Sequence, residues 1–311
     1  MASRVVESFL ATVASDKVTV VSFPEYVAVF GGAISKVGGR AKLESQRDAF
    51  VRWVKANRSD LNEVLLLPEN YEDWNDFDVY SDLLLFEKDL GYVTSAVVVF
   101  LESPGAIAEL GAFSQIDSLS ERLLVVVTDN RHPKKSFISL GPIRNLHDTR
   151  KHPFCVCVIP DPDPLSAIRD HLPVVVDNLD SKRSSAPKTQ EFSNAMPQHE
   201  ILLVLDLINL FLIATVLELK EIAEHFGVKL GLARLDQILF VLERTQLVTG
   251  KHYGNTKYFV ARRFRKAYLD FTSREGARSF NRDRFKAERL GEIQTDQNRK
   301  NAYQLAMKEA K

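Results

Sequence analysis

The residues of this chain best equipped for chemistry lie in one short string, FLESPGAIAELGAFS, from Phe100 to Ser114. It carries two carboxylates, Glu102 and Glu109, on either side of a Ser103-Pro104-Gly105 turn. A carboxylate can attack an electron-poor carbon or carry a proton, and its surroundings decide which. Ser103 is suited to cap a helix that starts at Pro104, and Gly105 leaves the amide end open to a phosphate or hydroxyl group. Glu109 then falls between one and two turns into that helix, among small and apolar neighbours. A charge there is costly to desolvate unless it has a buried partner or a task. Two other segments have the same character: Gly31-Gly32 follows the run YVAVF, and Glu69 sits in LPEN after EVLLL. Glycines permit tight turns and close backbone approach.

Something must bring these segments together. Short β-branched runs recur at VTVV (18–21), YVAVF (26–30), EVLLL (63–67), AVVVF (96–100), RLLVVV (122–127) and FCVCVI (154–159). Helical patterns fall between them, around 41–57, 79–90, 106–119 and 136–147, and an amphipathic helix is expected over 2–14. Strands apolar on both sides and separated by helices predict a doubly wound α/β fold with a flavodoxin- or Rossmann-like parallel sheet. Ligands of such sheets bind at the carboxyl ends of the strands, so Gly31, Gly32, Glu69, Ser103, Pro104, Gly105 and Glu109 should share one edge.

The stretch 177–198, polar and holding Pro187 and Pro197, reads as a linker between a domain at 1–176 and another at 199–311. In the latter, helices are expected near 199–214, 217–227 and 232–246, followed by a hairpin over 247–261 with a Gly-Asn turn. Three helices and a hairpin predict a winged helix. Its second helix-turn-helix element offers Lys229, Arg234 and Gln237 to a duplex, and its wing offers Lys251, His252, Asn255 and Lys257. The segments ARRFRKAYLDF (261–271) and SREGARSFNRDRFKAERL (273–290) interleave arginine with aromatic residues, a mixture able to track phosphates and stack on bases.

The overall charge is balanced, with 41 basic and 41 acidic residues. The balance hides an acidic body and a basic end, since Lys251 to Lys311 holds 16 Lys and Arg against 7 Asp and Glu. No basic start leads into an uninterrupted apolar run, and the most apolar segment (201–219) contains Asp206 and Glu218. A cytoplasmic protein without a membrane partner is expected. Cys155 and Cys157 alternate on one strand face and should remain buried free thiols, and the cysteines and histidines show no metal-ligand spacing.

The string ESPGxxxELGAFS, with GG after one inner strand and PEN after the next, resembles the nucleoside 2-deoxyribosyltransferase superfamily, whose nucleophile is the Glu of a short ELG-type helix segment. Together with SFISLGPIR (136–144) and the C-terminal helices, it resembles more closely the N-glycosidase effector toxins of bacterial retrons. By that resemblance Glu109 is the nucleophile, and Gly31, Gly32, Glu69, Ser103, Pro104 and Gly105 line the substrate pocket. It implies a hydrolase of antiviral defence whose partners are a reverse transcriptase and its RNA-linked single-stranded DNA, in an assembly that allows homo-oligomers. Base-exchanging members place an Asp six residues before the nucleophile, where this chain has Ser103, so base exchange is not implied. The PGGxGTxxE pattern of cytokinin-activating phosphoribohydrolases does not fit the spacing from Pro104 to Glu109.

An ordinary purine needs protonation to leave, whereas the nicotinamide of NAD is already cationic and departs neutral. None of the seven histidines, His132 among them, lies just after YVAVF, EVLLL or AVVVF, where the other candidate residues sit, and this mildly favours NAD as substrate. No cofactor is expected. Two other readings stay open: a nucleotide-sensing transcription regulator that binds without cleaving, and a nucleotide-salvage hydrolase.

Overall fold

The computed structural model describes residues 4–35, 42–75, 79–131, 135–185, 189–262 and 266–309. The chain forms two compact units, and neither is continuous in sequence. One comprises Glu25–Glu72 and Leu90–Pro187, the other Met1–Pro24, Asp73–Asp89 and Lys188–Lys311.

The chain enters through α1 (Arg4–Thr12) and β1 (Val13–Val20). It then runs through β2 (Tyr26–Phe30), α2 (Gln46–Asn57), α3 (Ser59–Asn62), β3 (Leu65–Leu66) and α4 (Leu83–Tyr92). Next come β4 (Thr94–Phe100), α5 (Pro104–Phe113), α6 (Asp117–Ser120), β5 (Leu123–Thr128), β6 (Val156–Ile159) and α7 (Leu172–Ser184). Strands β2 to β6 form one parallel sheet in the order β3-β2-β4-β5-β6, a mixed α/β arrangement compatible with a Rossmann-like fold. The connections reverse direction between β2 and β4, so the crevice at their carboxyl ends is the expected ligand position. All residues of β2 and β5 are buried, as strands covered on both faces must be.

Several expectations are corrected. VTVV is not a strand of the parallel sheet: β1 belongs to the other unit, where it pairs antiparallel with β11 (Leu269–Ser273) and β7 (Gln190–Glu191). An apolar run announces a strand but not its sheet. The helix expected over 136–147 is present over 137–149, and what differs is its geometry, π-helical over Ser139–Ile143 and Asn145–Thr149 with Pro142 inside the first. The stretch read as a linker begins inside α7, whose Val175, Val176, Leu179 and Lys182 are buried, and residues 186–188 lie outside the described ones. Cys155 and Cys157 are buried free thiols.

In the second unit, α8 (Pro197–Phe211) and β8 (Ala214–Thr215) lead into α9 (Val216–His225) and α10 (Leu232–Arg244). The hairpin of β9 (Val248–Tyr253) and β10 (Thr256–Ala261) follows, with β8 on the free edge of β10. Thr215 and Glu218 form a reciprocal capping box that starts α9. The chain closes with α11 (Arg282–Thr295) and α12 (Gln297–Glu309). Phe9 is the hub of this core, with Phe211, Phe226, Phe271, Phe280 and Phe285 at ring centroids of 5.3 to 6.1 Å. Among the described residues no helix is long and apolar enough to cross a membrane.

Candidate active site

The site grows out of three strand ends. After β2 the chain turns at Gly31, whose φ of +152° suits glycine, and a Cβ there would come within 2.9 Å of Phe100 Cβ. At Gly32 a Cβ would lie 2.7 Å from Ser45 Cβ. The two glycines therefore let the chain approach itself, where the sequence suggested room for a ligand.

Glu102, at the end of β4, clamps this turn to α2. Its carboxylate accepts from Gly32 N (3.1 Å), Gln46 N (2.6 Å) and Arg47 N (2.9 Å), so it answers the open amides of a helix start. Ser45 caps the same helix by accepting from Asp48 N at 2.9 Å. These contacts give Glu102 a structural task and leave Glu109 as the carboxylate to consider for chemistry.

Ser103 caps α5 as expected: its hydroxyl accepts from Ala106 N at 3.2 Å and donates to Gly31 O at 3.3 Å. Pro104 follows in the first turn. Gly105 lies one helical turn before Glu109, and a Cβ there would meet nothing closer than Ser103 Oγ at 3.9 Å and Glu109 Oε1 at 4.0 Å. The space over the Glu109 carboxylate is therefore open on this side. Glu109 Oε2 is buried and has no hydrogen-bond partner among the described residues. Burial pushes its carboxyl up to about 7, with the charge of Arg47 opposing the rise and that of Glu69 adding to it.

Arg47 is the residue the sequence did not single out. It extends from the first turn of α2, and both its terminal nitrogens reach Glu69, with Nη1 to Oε1 at 2.5 Å and Nη2 to Oε2. Nη1 also donates to Gly32 O at 3.3 Å. A Gln-Arg-Asp triplet at a helix start reads as a solvated turn, and nothing in its spacing marks the arginine as buried. The structure thus gathers Gly31, Gly32, Glu69, Ser103, Gly105 and Glu109 around Arg47 at one edge of the sheet.

The nucleic-acid candidates are not gathered in this way. Arg234 directs its fork at Asp89, with Nη2 to Oδ1 at 3.1 Å and Nη1 to Oδ2, and its Nε lies 3.5 Å from Glu200. Gln237 Nε2 donates to Val79 O at 3.1 Å, and Tyr80 packs on Phe240. Residues 79–89 therefore occupy the face of α10 that was expected to enter a groove. Lys257 pairs with Glu243 at 2.7 Å, while Glu243 also receives Gly250 N, which ties the hairpin to α10. Lys229, His252 and Asn255 are exposed and Lys251 is half-buried.

Of the interleaved residues at the C-terminal end, the aromatics Tyr268, Phe271 and Phe285 are interior and some arginines are engaged by carboxylates, while Arg274 and Arg278 are exposed. Arg282 pairs with the fully buried Asp206 at 2.6 Å, Arg289 sits against Glu292 and Glu218, and Phe271 and Phe285 are core residues. Residues 263–265 of that segment, and His132, lie outside the described residues.

Comparison with known proteins gives partial matches to two curated relatives, both from Escherichia coli. The chain is 39% identical over 64 residues to a protein named "Retron Ec86 putative ribosyltransferase/DNA-binding protein", a stretch that covers 21% of each chain. It is 37% identical over 63 residues to a protein named "Retron Ec73 putative ribosyltransferase/DNA-binding protein", covering 20% of each. These alignments therefore span about a fifth of the relatives' length. Residues 43–250, which run from before α2 into β9 and include Arg47, Glu69 and Glu109, match the family described as STM3845 retron effector protein. The chain belongs to the STM3845 retron effector family.

Proposed function

We propose that this retron effector cleaves the N-glycosidic bond of a nucleotide, NAD in first place, with Glu109 as nucleophile. The observation that carries the reading is the Glu109 carboxyl itself, held at the switch-point edge of the sheet with one buried oxygen unpartnered and its acidity moved to about 7. In the first step Glu109 attacks the anomeric carbon of the ribose through an oxocarbenium-like transition state. The carbon–nitrogen bond breaks with its electron pair going to the pyridinium nitrogen, and nicotinamide leaves neutral. Water then attacks the same carbon and loses a proton to solvent, which frees the Glu109 carboxylate and the ribosyl product. Gly31, Gly32, Glu69 and the Ser103 to Gly105 turn line the pocket in this reading. The names of the two E. coli relatives, which include ribosyltransferase, agree with transfer chemistry at a ribose. The test is release of free base from NAD and from a panel of nucleotides by the purified protein, compared with Glu109→Gln. Absence of base release from every nucleotide removes the reading.

Gly105→Val should weaken substrate use, because its methyl groups would project over Glu109 Oε1 from a Cβ already at 4.0 Å. The expected result is a loss of kcat/KM of about tenfold or more, equivalent to roughly 1.4 kcal/mol. Unchanged kinetics would place the substrate elsewhere.

For the second unit we read α8, α9, α10 and the β9-β10 hairpin as a winged helix that serves the assembly of the effector with a reverse transcriptase and its RNA-linked single-stranded DNA. An operator-reading regulator fits less well, since residues 79–89 cover Arg234 and Gln237 on α10. In this reading Lys229 and His252, both exposed, and the half-buried Lys251 are offered to phosphate. Replacing Lys229 and Lys251 by Ala should lower affinity for the single-stranded DNA and reduce the slope of log K against log salt by roughly 1.4, two phosphate contacts in a single strand. Identical slopes in wild type and double variant would make this surface protein-binding or structural.

A further inference from the structure

Arg47 is fastened from several directions and yet not fully used. Its backbone N–H is held by Glu102, and a Cβ on Gly31 would come within 3.1 Å of its Cβ and Cδ. Its side chain is 3% exposed, against 48% for the Glu69 side chain that receives its fork. Arg47 Nε has no hydrogen-bond partner among the described residues. Among the described residues of the α/β unit, the other buried side-chain polar atom in that condition is Glu109 Oε2. One is a donor, and the other becomes an acceptor with full negative charge once Glu109 ionises. A buried donor and a buried acceptor left open in one site are each costly alone and favourable together.

We propose that Arg47 is the positioning residue of Glu109, held ready as the counter-charge of its ionised carboxylate, with Glu69 setting how much of that charge Glu109 receives. The inference rests on the reading of Glu109 as nucleophile. Among the described residues, the charged groups that act on Glu109 are Arg47 from α2 and Glu69 from the turn after β3. Glu102, at the end of β4, is engaged by three backbone N–H groups of Gly32, Gln46 and Arg47. As long as Glu69 accepts both arms of the guanidinium, it draws the cation toward itself and adds its own negative charge to the site. A neutral group at position 69 does neither, so Glu109 should ionise more readily. Arg47 does not attack or protonate the substrate in this scheme.

The test is a carbon-detected titration of Glu109 in the full-length protein labelled at glutamate, its resonance identified by its loss in Glu109→Gln. Glu69→Gln, at a half-exposed position, is expected to lower the Glu109 midpoint by about one pH unit or more, and Arg47→Met to raise it. Arg47→Lys keeps the charge without the fork and serves if Arg47→Met does not fold; its midpoint should lie between those of wild type and Arg47→Met. The acid limb of kcat/KM for base release should move with the midpoint in Glu69→Gln. A Glu109 midpoint in Glu69→Gln within about 0.2 units of wild type overturns the proposal. A shifted midpoint in a protein that releases no base from any nucleotide supports the coupling and overturns the cleavage reading. Base release with an unmoved midpoint overturns the coupling alone.

Discussion

Glu109→Gln is expected to do two things at once: abolish base release and make the folded protein more stable at neutral and alkaline pH. The loss of activity should be at least about a thousandfold, since the amide keeps the shape of the side chain but cannot act as an anionic nucleophile. The gain in stability follows from the raised acidity constant. Burial moves the Glu109 carboxyl from its ordinary 4.5 to about 7, so in this interval the folded chain binds a proton that the unfolded chain has released. Stability contributed by the neutral acid is full below about 4.5 and is lost as pH rises toward 7. The neutral amide escapes that loss. Its advantage should be near zero at acid pH and on the order of 2 kcal/mol at pH 8, after allowance for the part-exposed side of the group. Chemical unfolding of both proteins at the two pH values checks it. Equal stability at both would mean that the carboxyl is not held against ionisation. In wild type, kcat/KM should fall about tenfold per unit of pH below the same midpoint.

Arg234→Ala should destabilise the helical unit by about 3 kcal/mol, a cost expected when one partner of a buried ion pair is removed. Asp89 is 4% exposed and takes the arginine fork on one side and the Tyr80 hydroxyl, at 2.8 Å, on the other. Without Arg234 that carboxylate stays buried, with Glu200 nearby adding a second negative charge. The double variant Asp89→Ala with Arg234→Ala should be more stable than the sum of its single variants, because it leaves no orphaned charge. Hydrogen exchange across residues 232–244 reports the effect locally. Lys229→Ala, at an exposed position, should change stability by less than about 0.5 kcal/mol. If Arg234→Ala falls in that same small range while weakening nucleic-acid binding, the arginine serves the partner rather than the fold.

These two residues show where sequence reasoning carries and where it stops. YVAVF, AVVVF and RLLVVV are strands of the parallel sheet because five consecutive apolar residues, valine prominent among them, leave little alternative for a buried element. The Ser103-Pro104 cap was equally legible, since capping depends on residues three apart. VTVV has a similar composition and lies in a different sheet, because pairing partners in β7 and β11, far along the chain, decide its place. Arg47, Arg234, Arg282 and Arg289 mark the same boundary for charge. An arginine among polar residues or aromatics looks alike whether it faces a phosphate or a buried carboxylate, and the matching Glu69, Asp89, Asp206 or Glu218 is visible only once the chain has folded.

The division of the chain into interleaved segments has a consequence for the order of events during synthesis. All five strands of the parallel sheet have been synthesised by residue 159, and the segments of their unit by 187. The candidate catalytic edge can therefore assemble early. By contrast, β1 must wait for β7 and then for β11, whose Phe271 pairs with Val18. Closing a loop of that length is entropically slow, and until it closes a β-branched strand presents unpaired edges. A nascent effector of this design passes through a stage in which the unit that holds Arg47, Glu69 and Glu109 is formed while the unit that holds β1 and β11 is not.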